Sequence, residues 1–182
     1  MEHKSMELLE AGLDEVRKSP RDSGPLKLIV SRPGVGLRNI SESAELDPAH
    51  GLIGDGWKAR GSRHTPDGSP EPDKQLNIMN SRAIRLVAGN PEQWPLAGDQ
   101  LYVDLDLGPE NLPAGTSLEI GTAVVQVTSP PHLGCSKFAA HFGNDAVKFV
   151  NSPVGRELNL RGINARVIKH GVIRVGDFVK KL

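Results

Sequence analysis

The sequence predicts a mainly β protein, a barrel of short strands with a few short helices and one helix at the N-terminus. Three observations carry that prediction. Leu101, Val103, Leu105 and Leu107 alternate with Tyr102, Asp104 and Asp106, the two-residue period of a strand with one face buried. Ser117 to Ile120 and Ala123 to Thr128 flank Gly121-Thr122, the pattern of a tight hairpin. Finally, 20 glycines and 14 prolines among 182 residues cut the chain into many short elements.

The elements follow in chain order. Met6, Leu9, Leu13 and Val16 recur at helical spacing, so residues 5–18 read as an amphipathic helix. Ser19 to Pro25 reads as a linker, which divides the chain into an N-terminal segment 1–25 and a barrel domain 26–182. Leu28 to Val30 is a strand stopped by Pro33-Gly34, with Gly36 to Ser41 as its hairpin partner. Residues 61–74, rich in Gly, Ser, Pro and charge, read as a long exposed loop. Gln75 to Met79 is a strand, and Ser81 to Ala88 a helix ended by Gly89. Two short helices, Ser136 to Phe142 and Asp145 to Asn151, follow Pro130-Pro131. Three strands close the chain: Ala165 to Lys169, Val172 to Val175 and Phe178 to Lys181.

Composition bounds the function. Lys plus Arg and Asp plus Glu both number 22, and no basic stripe carries interleaved aromatics, so nucleic-acid binding is not expected. No apolar run is long enough for a membrane helix, and the charged N-terminus does not resemble a secretory signal. The single cysteine forms no intrachain disulfide and suits a reducing cytoplasm. The six histidines show no paired zinc spacing.

That cysteine, Cys135, lies in Ser129-Pro130-Pro131-His132-Leu133-Gly134-Cys135-Ser136-Lys137. A strand runs into two prolines, Gly134 removes the neighbouring side chain, and a helix is expected just after. A thiol at a helix start meets the positive end of the backbone dipole, which favours thiolate, the form that attacks electrophiles or binds a soft metal. Burial as a packing residue is the competing reading, and the residues alone leave both open. In Gly51 to His64, glycines such as Gly54 surround Asp55, and Lys58, Arg60 and Arg63 follow. This is either an anion-wrapping loop or an Asp-Gly turn beside a solvated basic loop. Arg161-Gly162 precedes a strand. It either places a guanidinium at the barrel mouth, suited to phosphate, or pairs at the surface with Glu157 or Asp145. Gly98-Asp99 is explained by a turn.

In this order the pieces resemble the MOSC family, named after the C-terminal part of molybdenum-cofactor sulfurases. The matching stretches are Gly51-Leu52-Ile53-Gly54-Asp55, Gln75-Leu76-Asn77-Ile78, Gly98-Asp99-Gln100-Leu101, Gly115 to Gly121, Val125 through Cys135, Arg161 to Arg166 and Gly171 to Asp177. They span about residues 26–182. Where members often carry proline before the cysteine, this chain has Gly134, and the usual Gly-Glu-Asn-Leu stands as Gly98-Asp99-Gln100-Leu101.

The resemblance implies a β-barrel that binds a molybdopterin-type cofactor, with Cys135 as molybdenum ligand and active thiol. Gly54, Asp55, Lys58, Arg60, Arg63, Arg161 and Gly162 are the implied cofactor contacts. The implied activity is oxo-transfer or reduction of N-hydroxylated compounds, with an electron-transfer protein as partner. A second reading makes Cys135 a sulfur carrier, loaded as a persulfide by a partner, since no pyridoxal-phosphate domain is expected in this chain. A third is a non-catalytic binding module, with Cys135 as packing and the N-terminal helix as a docking or dimer element.

Overall fold

In the computed structural model, which describes residues 3–182, the short strands close on themselves. The elements are α1 (Met6–Ala11), α2 (Leu13–Arg17), β1 (Ser23–Ser31), β2 (Asn39–Ser41), β3 (Ser43–Asp47), β4 (Gly51–Leu52), α3 (Trp57–Arg60), β5 (Leu76–Asn80), α4 (Ser81–Ala88), β6 (Leu101–Val103), β7 (Ser117–Ile120), β8 (Ala123–Pro131), α5 (Ser136–Phe142), α6 (Asn144–Asn151), α7 (Pro153–Glu157), β9 (Ile163–Lys169), β10 (Gly171–Arg174) and β11 (Phe178–Lys181). Tight 3₁₀ turns fill Pro72–Lys74 and Pro91–Ala97.

Seven strands run in the order β11-β7-β8-β9-β5-β6-β1, and a further pairing of β11 with β1 closes the barrel. All of these pairs are antiparallel except β5 with β6. β2 hangs on β1 as an edge strand, and β10-β3-β4 form a separate small sheet. Alternation decides what faces inward. Along β8, Ala123, Val125 and Val127 are buried and join Leu118, Ile120, Ile163, Ala165 and Val179 in one interior cluster. Leu46, Leu52 and Ile173 of the small sheet belong to that same cluster.

A second cluster lies on the outer face. Val30, Met79 and Tyr102, the alternate residues of β1, β5 and β6, pack against Leu9, Ile84, Trp94, Phe138, Phe142 and Phe149 from the helices. This helical layer revises the expectation for Tyr102. Its ring, expected on a solvent side, is fully buried, and its hydroxyl donates to the Trp94 carbonyl at 2.7 Å. The regular strand also stops at Val103. Asp104 and Asp106 turn their backbone N–H groups to the carbonyls of Pro25 and Pro20 instead.

Other expectations shift for local reasons. The helix expected over 5–18 is two helices broken at Gly12, where an added Cβ would stand 2.2 Å from Leu86 Cδ1. Ser23 to Pro25, expected as linker, belong to β1 and pair with Phe178 to Lys180 to close the barrel. Met1 and Glu2, part of the expected segment 1–25, lie outside the described residues. The hairpin β7–β8 and the helices α4, α5 and α6 occur close to where the sequence places them. Among the described residues no helix is long and apolar enough to cross a membrane.

Candidate functional site

At the seam between the barrel wall and the helical layer lies a continuous polar network. It starts from two strand residues facing each other, Asn77 on β5 and Asn164 on β9. Asn77 Nδ2 donates to Asn164 Oδ1 at 2.7 Å, and Asn164 Nδ2 donates to the Pro130 carbonyl at 2.9 Å. Asn77 Oδ1 accepts from Arg32 Nη1 at 2.9 Å. Arg32, just past the end of β1, also donates from Nη1 to the Gly98 carbonyl at 2.6 Å and from Nε to Asp55 Oδ2 at 3.0 Å. The Asp55 side chain is fully buried and accepts the backbone N–H groups of Arg32 and Trp57 as well.

The turn Ala97–Gly98–Asp99 is held from the opposite side by Arg161. Its Nη1 donates to Asp99 Oδ2 at 2.6 Å and its Nη2 to the Ala97 carbonyl at 2.8 Å. The guanidinium lies 5.0 Å from the centre of the Phe138 ring on α5. The other Asp99 oxygen contacts His132 Nε2 at 3.0 Å. Two buried arginines thus grip one three-residue turn, each balanced by a buried carboxylate. The left-handed conformation of Gly98, at φ +89°, lets the turn offer successive carbonyls to both.

His132 reaches Asp99 because β8 bulges before it. Between Val127↔Ala165 and Pro131↔Ile163 the register against β9 slips, since Pro130 and Pro131 have no N–H to give the ladder. The loop then continues through Leu133 and Gly134, which exchanges two hydrogen bonds with the Asn151 side chain, to Cys135. A Cβ at Gly134 would lie 2.9 Å from Val147 and Val150, so a smaller residue lets the loop seat on α6. Cys135 is exposed and occupies the position before α5, its carbonyl accepting from Ala139 N–H at 3.0 Å.

Two hollows adjoin this loop. One, of about 110 Å³, is lined by Pro131, His132, Leu133, Val150, Arg156 and Arg161 among others. The second, of about 290 Å³, runs between the Pro109–Ala114 loop and the bulge of β8. His132, Pro131 and Asn159 line both. Asn159 is in a left-handed conformation, φ 45°, and its Nδ2 is fixed on the Leu107 carbonyl at 2.8 Å.

Electrostatics follow from burial. Burial pushes the Asp99 carboxyl up, but Arg161 and His132 together outweigh it and hold it below its ordinary value. Burial, then the Arg161 charge, pulls His132 below its ordinary value, against the opposing pull of Asp99. Both shifts give stability of the same sign. A histidine held neutral in the fold is stabilising only while the unfolded chain is also neutral. Stability is therefore expected to fall as pH drops below about 6.5, the ordinary histidine value, and again through the carboxylate range. A urea series across pH should show His132→Phe removing part of the first decline, by at most about 1.4 kcal/mol per pH unit. An unchanged profile would refute it.

The residues expected from the sequence fall into distinct places. Cys135 is exposed. Arg161, expected at the mouth or paired with Glu157 or Asp145, is instead buried beneath α5 and paired with Asp99. Gly162, at φ +103°, packs its backbone on Ile78. Asp55 is sealed by Arg32, whereas Gly54, Lys58, Arg60 and Arg63 are exposed. Arg60 Nη2 is 3.9 Å from Asp55, and burial followed by the nearby charges of Arg32 and Arg38 lowers its ordinary value. Neither hollow is lined by Cys135 or by the 54–63 loop. The sequence reading missed Arg32, Asn77, Asn159, Asn164 and the pairing role of Asp99. Only Gly98-Asp99 carried a local signal, and a turn accounted for it.

The chain matches the MOSC domain model over residues 65–180, more than half of its length, and belongs to the MOSC family. Among solved structures it is similar to the YuaD protein of Bacillus subtilis, at 17% identity and TM-score 0.62, covering 87% of this chain and 95% of that one. It is also similar to YiiM from Escherichia coli, at 22% identity and TM-score 0.54, covering 87% and 69%. YiiM from Geobacillus stearothermophilus aligns at 18% identity and TM-score 0.52, covering 87% and 73%. No curated protein sequence matches.

Proposed function

We propose that this chain binds a molybdopterin-type cofactor and uses it in oxo-transfer or in reduction of N-hydroxylated compounds, with Cys135 as the protein ligand to molybdenum. The observation that carries the reading is an accessible lone thiol, three residues beyond a buried Asp–His–Arg frame, in a chain of the MOSC family. The residues fit the group. A thiolate suits a soft metal already held by a dithiolene. Among the described residues the space where a Gly54 Cβ would stand is open, and the exposed Lys58, Arg60 and Arg63 that follow it in the chain offer cations to a phosphate.

When bound, the group supplies two-electron oxo chemistry. This chain's residues bind and orient it. The side chains of Arg161 and Asp55 are buried and engaged with partners inside the frame; their part is to position. Asp55 fixes Arg32, and Arg161 fixes Asp99, so the 97–99 turn and the His132 loop stay in register with Cys135. An electron-transfer protein is the partner this chemistry requires.

The test is molybdenum and pterin content of the protein purified from a host that makes the cofactor. The wild type is expected to carry both near one per chain, and Cys135→Ser to lose molybdenum by at least about tenfold. Wild type free of both overturns the reading. A persulfide on Cys135, found by mass spectrometry in such a protein, would assign it to sulfur transfer instead.

A further inference from the structure

His132 has two ring nitrogens and the frame uses one. Nε2 faces the Asp99 carboxylate, which is also held by Arg161. A carboxylate only accepts, so Nε2 carries the proton and Nδ1 keeps a lone pair. Among the described residues Nδ1 has no hydrogen-bond partner, and it is not one of the sealed, unsatisfied atoms, so it opens to solvent. The histidine side chain is 17% exposed and lines both hollows. The same holds for Asn159. With Nδ2 spent on the Leu107 carbonyl, its Oδ1 is an unpartnered acceptor that is not sealed. Two acceptors therefore stand on the wall shared by the hollows. In the smaller hollow they are joined by Arg156, a donor, and by apolar Leu133 and Val150.

We propose that this wall is a ligand subsite in which His132 Nδ1, oriented by Asp99, accepts a hydrogen bond or a proton from an N–H or O–H group of a small neutral ligand, with Asn159 Oδ1 as a second acceptor. The inference deepens the functional reading above by giving the site a proton-handling residue distinct from the thiol. If the proton moves fully, the ligand heteroatom keeps the electron pair of its broken bond to hydrogen. A new N–H bond forms at Nδ1, and Asp99 then faces an imidazolium. The charges of Arg161 and Arg156 at the same hollow disfavour a cationic ligand and favour one that is neutral or becomes an anion. Asp99 and Arg161 do not touch the ligand; they are positioning residues.

The probe is pyrazole, a five-membered ring with one N–H, against 1-methylpyrazole, which has none. The full chain is labelled with ¹⁵N-histidine, and the His132 signals are assigned by their loss in His132→Phe. At neutral pH His132 is expected as the Nε2–H tautomer, and its Nδ1 signal is expected to shift with pyrazole and stay still with 1-methylpyrazole. Pyrazole affinity should fall about tenfold in His132→Phe and less in Asn159→Gly, which keeps the left-handed backbone. A native thermal melt confirms that each variant folds. An Nδ1–H tautomer, a charged ring at neutral pH, or equal responses to the two probes would overturn the proposal. None of these readouts depends on molybdenum. A protein lacking the cofactor that still binds pyrazole at Nδ1 sinks only the functional reading, and a loaded protein with a silent Nδ1 sinks only this one.

Discussion

Replacing Asp99 with alanine is expected to cost about 3–5 kcal/mol of stability, a large fraction of what a domain of this size holds in total. What would be left behind sets the cost. Asp99 is fully buried and is the only carboxylate within salt-bridge range of Arg161, itself 5% exposed, among the described residues. Removing it strands a guanidinium under Phe138, with its Nε already lacking a hydrogen-bond partner. His132 would also lose the group that orients it. The measurement is urea unfolding, read as the midpoint at constant slope. Adding Arg161→Met to Asp99→Ala should recover part of the loss, because the stranded charge is then gone; the difference between double and single variants is the coupling energy. A loss below about 1 kcal/mol for Asp99→Ala would show that the pair is hydrated in solution and that the frame around the 97–99 turn is not held by charge.

The frame was out of reach of the sequence for a physical reason. Its ion pairs join residues 23 and 62 positions apart, Arg32 with Asp55 and Arg161 with Asp99. Such pairs are set by which strands become neighbours, and no local pattern encodes that. Where the determinants are local, the text was readable. Asn80 caps α4 with its side chain and Gly89 ends it, and the Gly121-Thr122 turn makes the β7–β8 hairpin. Cys135 before α5 was legible because prolines, a glycine and a helix start stand in sequence around it. Tyr102 misled for the opposite reason. Two-residue alternation marks one buried face, but a helical layer covers the other, and a tyrosine with a carbonyl in reach can be buried there. β4, of two residues, is too short to leave a period, and Pro95 inside the Pro91–Ala97 turn argues against any helix.

Glycines in this family's motifs invite one explanation for all of them, yet two here should respond very differently to the same change. Gly162→Ala is expected to destabilise by about 4 kcal/mol or more, whereas Gly54→Ala should cost about 1 kcal/mol. Both have positive φ, +103° and +88°, so both substitutions carry backbone strain. They part company in what the methyl meets. At Gly54 nothing among the described residues, beyond its chain neighbours, lies within 4 Å of it. At Gly162 the methyl would stand 2.3 Å from the Ile78 carbonyl oxygen and 3.2 Å from Met79 Cα, which are backbone atoms of a strand locked between β6 and β9. That strand cannot yield without breaking the pairing of Ile78 with Ile163 and moving Asn77, the residue that ties Arg32 to Asn164. Arg161, next in the chain, would move with it. Gly162 thus serves the site by letting two backbones touch, and Gly54 by leaving room at the surface. Equal losses for the two alanines in urea unfolding would show that left-handed strain alone accounts for both, and that the close approach at Ile78 relaxes at little cost.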